Sequence, residues 1–106
     1  MINVLVIFES CSGATETLAL AAAVGAVQAR ANIRMRRLPD DSAESTETLR
    51  RMRREYVPPT PADTLWADAV LIGINGKLCG AVDNAADATA FGRRIVEDTR
   101  AVKRSQ

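Results

Sequence analysis

The chain is expected to be an α/β protein built on a short parallel sheet. Three observations predict this. An apolar run rich in β-branched residues, Ile2 to Phe8, shows no alternation, as in a strand covered on both faces. An alanine-rich stretch of helical periodicity follows it directly, and apolar runs then recur between further helical stretches. Strands that alternate with helices point to parallel pairing through right-handed crossovers. With 106 residues the chain has room for one core, so residues 1–106 are read as a single domain.

The elements follow in order. Gly13 to Ala31 reads as the first helix, with one stripe at Leu20, Val24, Val27 and Ala31 and another at Leu18, Ala22, Gly25 and Ala29. The small residues on these stripes predict a helix pressed closely against a sheet. Asn32 to Pro39 alternates Ile33 and Met35 with arginines and reads as a less buried edge strand. Asp41 and Glu44 have capping-box spacing, and Leu49, Met52 and Tyr56 keep one face, so a helix is expected over about 44–56. Pro58, Pro59 and Pro61 are read as ending it. A third strand is expected over about 69–72, with Trp66 ahead of it as a core anchor, and then a glycine-containing loop, Gly73 to Ala81. From about Asn84 onward Ala88, Phe91, Ile95, Thr99 and Val102 share a helical face.

Composition removes several kinds of chemistry. There is no histidine, so imidazole-based triads and most zinc sites are excluded, and no metal site is expected. Two cysteines, Cys11 and Cys79, make no disulfide framework, and a reduced, cytoplasmic setting is expected. A net charge of +1 gives no global field for nucleic acid, and no apolar run is long enough to span a membrane. No cationic leader precedes the first strand, so no secretory signal is expected.

The seam between first strand and first helix carries the functional signal. In "FESCSGATETLA", Ser10, Ser12, Gly13 and Thr15 sit where a helix N-terminus offers unpaired N–H groups and a partial positive charge. Such a turn can hold a phosphate, with hydroxyls as further donors and Gly13 permitting close approach. It can equally be a helix cap, with Ser10 or Ser12 as the capping side chain. The spacing matches neither of the common glycine-rich nucleotide loops. Thr17 stands where a tyrosine-phosphatase loop would need arginine after Cys11.

Val6, Ile7, Phe8, Ser10, Gly13, Thr15 and Ala19 together resemble the strand–loop–helix pattern of the flavodoxin-like superfamily. The order of "TETLALAAAVGA", "IRMRRLP" and "YVPPTPADTLWADAVLIG" is similar to its NAD(P)H:quinone oxidoreductase branch, the tryptophan-repressor-binding-protein type, over about residues 1–73. "ATAFGRRIVEDTRAV" resembles that branch's final helix. The resemblance implies a three-layer sandwich with strand order 2-1-3. It implies that Ser10, Ser12, Gly13, Ala14 and Thr15 hold the phosphate of FMN. It implies, more loosely, that Ile74, Asn75, Gly76, Lys77 and Leu78 flank the flavin ring. NAD(P)H as electron donor and a quinone as acceptor come with the branch, and no catalytic side chain is assigned.

Two departures stand out. The branch's Pro-Thr-Arg-Phe-Gly is replaced by Asn75, Gly76, Lys77, Leu78 and Cys79, which removes the aromatic expected to pack on the flavin. At ~30 residues per strand–helix unit, five units need ~150 residues, so the family's fourth and fifth strands have no counterpart here. The third strand would then be an open edge, and a homo-oligomer through that edge is expected. The second reading is therefore a shortened binding or assembly module with weak or no flavin binding.

The remaining features have plainer readings. Arg50, Arg51, Arg53 and Arg54 are read as a solvated helix face, since no aromatic platform is interleaved for nucleic acid. Arg34, Arg36 and Arg37 are read as surface charge on the edge strand. Asp83 and Asp87 are read as capping the last helix. Cys11 and Cys79 lie on loops expected side by side, without the spacing of a redox pair.

Overall fold

The computed structural model describes residues 1–106. Its elements are β1 (Asn3–Phe8), α1 (Ala14–Gln28), β2 (Asn32–Arg37), α2 (Glu47–Glu55), α3 (Pro61–Trp66), β3 (Ala69–Ile74), β4 (Lys77–Leu78) and α4 (Ala85–Arg104). β1 pairs in parallel with β2 on one side and β3 on the other. The sheet has four strands in the order β2-β1-β3-β4, not three in the order 2-1-3, and it is mixed because β4 runs antiparallel to β3. The extra strand comes from Asn75 and Gly76, whose φ of 55° and 72° close a two-residue hairpin. Asn-Gly is a favoured sequence for such a turn.

Register assigns the two faces of the sheet. Val4, Val6 and Phe8 point to one face with Ile33, Met35, Ala69 and Leu71. This face holds the core, where Val4, Val6, Phe8 and Leu71 cluster with Leu18, Ala19, Ala22 and Ala26 of α1 and Ala88 and Val96 of α4. Leu49 and Met52 of α2 join the same cluster. The opposite face carries Leu5, Ile7, Arg34, Arg36, Val70 and Ile72. Its cover is the short α3, whose Asp63 binds Arg34 and Arg36 and whose Trp66 ring lies 4.3 Å beneath the Arg34 guanidinium. The expected sandwich is thus thick on one side and thin on the other. Val70 and Ile72 remain 42% and 46% exposed where α3 does not reach.

The close approach expected between the small residues of α1 and the sheet is made instead against α4, where it is tightest at Gly25. A Cβ placed on Gly25 would lie 1.9 Å from the Thr89 carbonyl oxygen, and one on Gly92 would lie 2.0 Å from that of Ala22. The two helices therefore meet backbone to backbone. The stripe at Leu20, Val24 and Val27 faces outward instead, about half exposed, beside Ile33 and Met35.

Several boundaries differ from expectation. α2 starts at Glu47, because Thr46 accepts a hydrogen bond from the Leu49 N–H, whereas Asp41 and Glu44 precede the helix. Pro61 opens α3 rather than ending a helix. Thr60 and Asp63 form a reciprocal capping box around it, and proline is well suited to a first helical position. Trp66 is half-buried under Arg34 rather than a core anchor. α4 is capped by Asn84, which accepts from the Asp87 N–H. Asp87 lies in its first turn, as expected, but Asp83 lies outside it.

Asp63 ties α3 to the sheet electrostatically. The Thr60 N–H and then the Arg36 guanidinium hold its carboxyl down to about 2. A carboxylate depressed in the folded state contributes its full stabilisation above its unfolded pKa and loses it as pH falls through the folded value. Unfolding free energy is therefore expected to drop between about pH 4 and about pH 2. Asp63→Asn should flatten that part of the curve, as read by urea titrations across this range.

Candidate functional site

The turn joining β1 to α1 lies at the carboxyl end of the strands, where open α/β sheets place their ligands. Its geometry is set by main chain and buried side chains. Ser10 is buried, and its Oγ accepts from the Gly13 N–H at 3.0 Å. Gly13 is the N-cap residue of α1 with φ 94°, a left-handed conformation that a glycine takes without strain. No side chain caps the helix. The simple-cap reading of this loop therefore fails, because Ser10 binds the amide of the cap residue and not those of the first turn.

The first intrahelical bond at this end is from the Thr17 N–H to the Gly13 carbonyl. The amides of Cys11, Ser12, Ala14, Thr15 and Glu16 donate to no protein acceptor. They cluster on one turn beside a cavity of about 400 Å³ bordered by the 9–15 loop and by Asn75 and Gly76. A larger cavity of about 620 Å³ lies at the other end of the sheet, among Met1, Arg30, Glu97 and Arg100. It is not bordered by either loop singled out from the sequence.

Thr15 joins the two loops. It is 4% exposed, and its Oγ1 accepts from the Gly76 N–H at 2.8 Å. With one lone pair so engaged, its hydroxyl proton is free to be donated elsewhere. The absence of a side chain at Gly73 permits this contact, since a Cβ there would come 2.9 Å from the Thr15 methyl.

The predicted site residues thus fall into four sets. Ser10, Ser12, Ala14 and Thr15 line the cavity, with Gly13 shaping the turn. Asn75 and Gly76 border it from the hairpin. Ile74 and Lys77 line a neighbouring cavity, of about 570 Å³, with Ile72, Cys79, Gly80 and Asn75, which borders both cavities. The Leu78 side chain is fully buried in the core and offers no surface to a ring. Cys11 and Cys79 are both exposed free thiols.

A charged layer lies around the loop, most of it unforeseen from the sequence. Arg37 is not surface charge. It is 5% exposed, and its Nε and Nη2 donate to the Ser10 carbonyl at 3.2 and 2.7 Å. Asp40 lies 2.9 Å from Arg37 and is shared with Arg53 at 2.5 Å. Both guanidiniums, Arg53 foremost, hold the Asp40 carboxyl well below the usual carboxylate range. Glu16, in the first turn of α1, is buried and bound by Arg51 at 2.6 Å and by the Tyr56 hydroxyl at 2.7 Å. Arg51 lowers the Glu16 carboxyl, while burial and the Glu16 contact push the Tyr56 phenol up. The Tyr56 ring meets Phe8 edge-on at 4.9 Å. The arginine face of α2 is consequently an ion-paired one, with Arg50 on Glu47 and Arg51 also on Glu55.

No family model matches this chain, and no curated protein matches it. No cluster of three or more potential metal ligands is present, and no helix is long and apolar enough to cross a membrane.

Proposed function

We propose that the chain is a flavodoxin-like protein that holds the phosphate of FMN in the 10–15 turn, and that it serves as a redox protein of the NAD(P)H:quinone oxidoreductase kind. The observation that carries this reading is the set of unpaired main-chain amides at the start of α1, left uncapped next to a cavity. Amides of this kind, at the positive end of a helix, are suited to a phosphate dianion.

The donor set fits the phosphate end of the cofactor. Ala14, Thr15 and Glu16 would donate through N–H groups, Ser12 and Thr15 through hydroxyls, and the Gly76 N–H fixes the Thr15 side chain for the task. On the ring side the chain offers less. The hairpin supplies Asn75 and Gly76 at the cavity edge and no aromatic side chain. FMN, when bound, supplies the electron chemistry between a nicotinamide donor and a quinone. The residues of the chain bind and orient it. None of them is required as an acid or base, which is consistent with a chain lacking histidine.

The test is a titration of purified protein with FMN and with riboflavin, followed by flavin fluorescence. FMN is expected to be quenched on binding and to bind about a hundredfold more tightly than riboflavin, the worth of several charge-assisted hydrogen bonds to phosphate. Equal affinity for the two flavins would remove the phosphate from the 10–15 turn.

A second reading, an assembly module with weak or no flavin binding, is favoured by β3. Its outer edge is covered only at the hairpin end, where the Cys79 N–H reaches the Ile72 carbonyl. Val70 and Ile72 beside it are open to solvent. Protein that ignores FMN at high concentration and sediments as a dimer or larger at micromolar concentration would favour this reading. A monomer would remove it.

A further inference from the structure

We infer that Arg37 is a positioning residue of the anion loop. It clamps the Ser10 carbonyl from the core side, so that the amides following Ser10 are fixed toward the cavity. The inference rests on the phosphate reading above for its ligand, but the clamp is a property of the chain itself.

Three features of the structure support it. The Arg37 side chain is 5% exposed, yet its main acceptor besides Asp40 is one main-chain carbonyl, gripped by two N–H groups. A buried guanidinium is costly unless its hydrogen bonds are met, so its place beneath this turn is a constrained one. Arg37 is also the last residue of β2, opposite Phe8 of β1, and its own N–H donates to the Val57 carbonyl at 3.0 Å. The clamp is thereby anchored at the end of β2 and tied to the segment that follows α2. Finally, its counter-ion is divided. Asp40 serves both Arg37 and Arg53, and the buried Glu16 carboxylate also lies within electrostatic reach of Arg37. The Arg37 guanidinium lies behind a loop that contains no basic residue of its own and one acid, Glu9.

Arg37 therefore does two things for an anion. Its planar fork holds the loop in the conformation that exposes the amides, which a lysine ammonium cannot do with the same directionality. Its charge favours a dianion over a neutral ligand without touching it. These separate in the variants Arg37→Lys, which keeps charge without the fork, and Arg37→Met, which removes both.

The experiment measures two quantities on wild type and both variants. The first is affinity for FMN and for riboflavin. The second is amide hydrogen exchange at Gly13 and Thr17, the hydrogen-bonded amides of the turn, in the protein without flavin. Arg37→Met is expected to weaken FMN at least about tenfold while changing riboflavin little, with Arg37→Lys between it and wild type. Exchange at Gly13 and Thr17 should quicken in Arg37→Met more than elsewhere in the chain. Unchanged loop exchange and unchanged FMN affinity in folded Arg37→Met would overturn the clamp, and leave the phosphate reading standing if wild type binds FMN. Loop exchange that quickens in a chain whose wild type binds no FMN would keep the clamp and sink the phosphate reading. Should Arg37→Met not fold, Arg37→Lys decides alone. FMN affinity and loop exchange both equal to wild type in that variant would overturn the requirement for the fork.

Discussion

Gly92→Ala is expected to cost the fold about 3 kcal/mol, although alanine is the better helix former. Propensity alone would favour the change by about 1 kcal/mol. The added methyl, however, would sit 2.0 Å from the Ala22 carbonyl oxygen, and that atom belongs to a helix backbone and cannot swing aside. α1 and α4 must separate, loosening the contact that buries Ala22 and Ala88. Overpacking of this kind costs about 1–3 kcal/mol and occasionally more. For a domain of this size that corresponds to a fall of roughly 10–20 °C in melting temperature. Thermal denaturation followed by circular dichroism measures it. A variant melting with the wild type would mean that the two helices do not lie so close.

Thr15→Val is expected to reduce FMN affinity about tenfold to a hundredfold. Valine keeps the shape of threonine and removes one hydroxyl, which serves two purposes. It accepts from the Gly76 N–H, and it keeps a proton to donate into the cavity. A hydrogen bond to a charged group is worth about 1.5–3 kcal/mol, which sets the expected range. Loss of the Gly76 partner should also let the hairpin drift from the loop. Thr15→Ser retains the hydroxyl and should stay within a few-fold of wild type, and riboflavin binding should change little in either variant. Fluorescence titration with both flavins reads the difference. Wild-type FMN affinity in Thr15→Val would take Thr15 out of the site.

Much of the architecture was legible because it is locally encoded. The β-branched run of β1, the alanine-rich α1 and the amphipathic α4 each announce their period over a long enough window. Faces were harder. Leu20, Val24 and Val27 form as regular a stripe as Leu18, Ala22 and Gly25, yet only the latter is buried. Periodicity says which residues share a face, while the partner that covers it is a long-range matter. Capping was ambiguous for a different reason. Asp41, Ser42, Ser45 and Thr46 are all competent N-caps, and the burial of Leu49 and Met52 selects Thr46. At Pro61 and at Asn75–Gly76 the signals are present, as a Thr-Pro-x-Asp start and an Asn-Gly hairpin turn, but a proline stops one helix as readily as it opens the next, and an Asn-Gly pair serves open loops as well as hairpins.

The candidate site divides along the same line. The 10–15 turn could be singled out because its residues are contiguous and their chemistry is local. Arg37 could not, since an arginine in an alternating edge strand looks solvated until Ser10 is seen above it. The side chains of Glu16, Arg51 and Tyr56 converge from two segments far apart in the chain, and local sequence does not show that meeting.

The backbone contact between α1 and α4 also bears on the order of folding. α1 precedes β2, β3 and β4 in the chain, and its tightest partner, α4, follows them. Contacts of such wide sequence separation carry a large closure entropy and slow the search for the native state. Until α4 arrives, the groove around Ala22 and Gly25 is an uncovered apolar strip on a nascent chain. The domain should therefore mature in one late step, with α4 acting as the closing piece and the earlier segments vulnerable to chaperones and proteases while they wait.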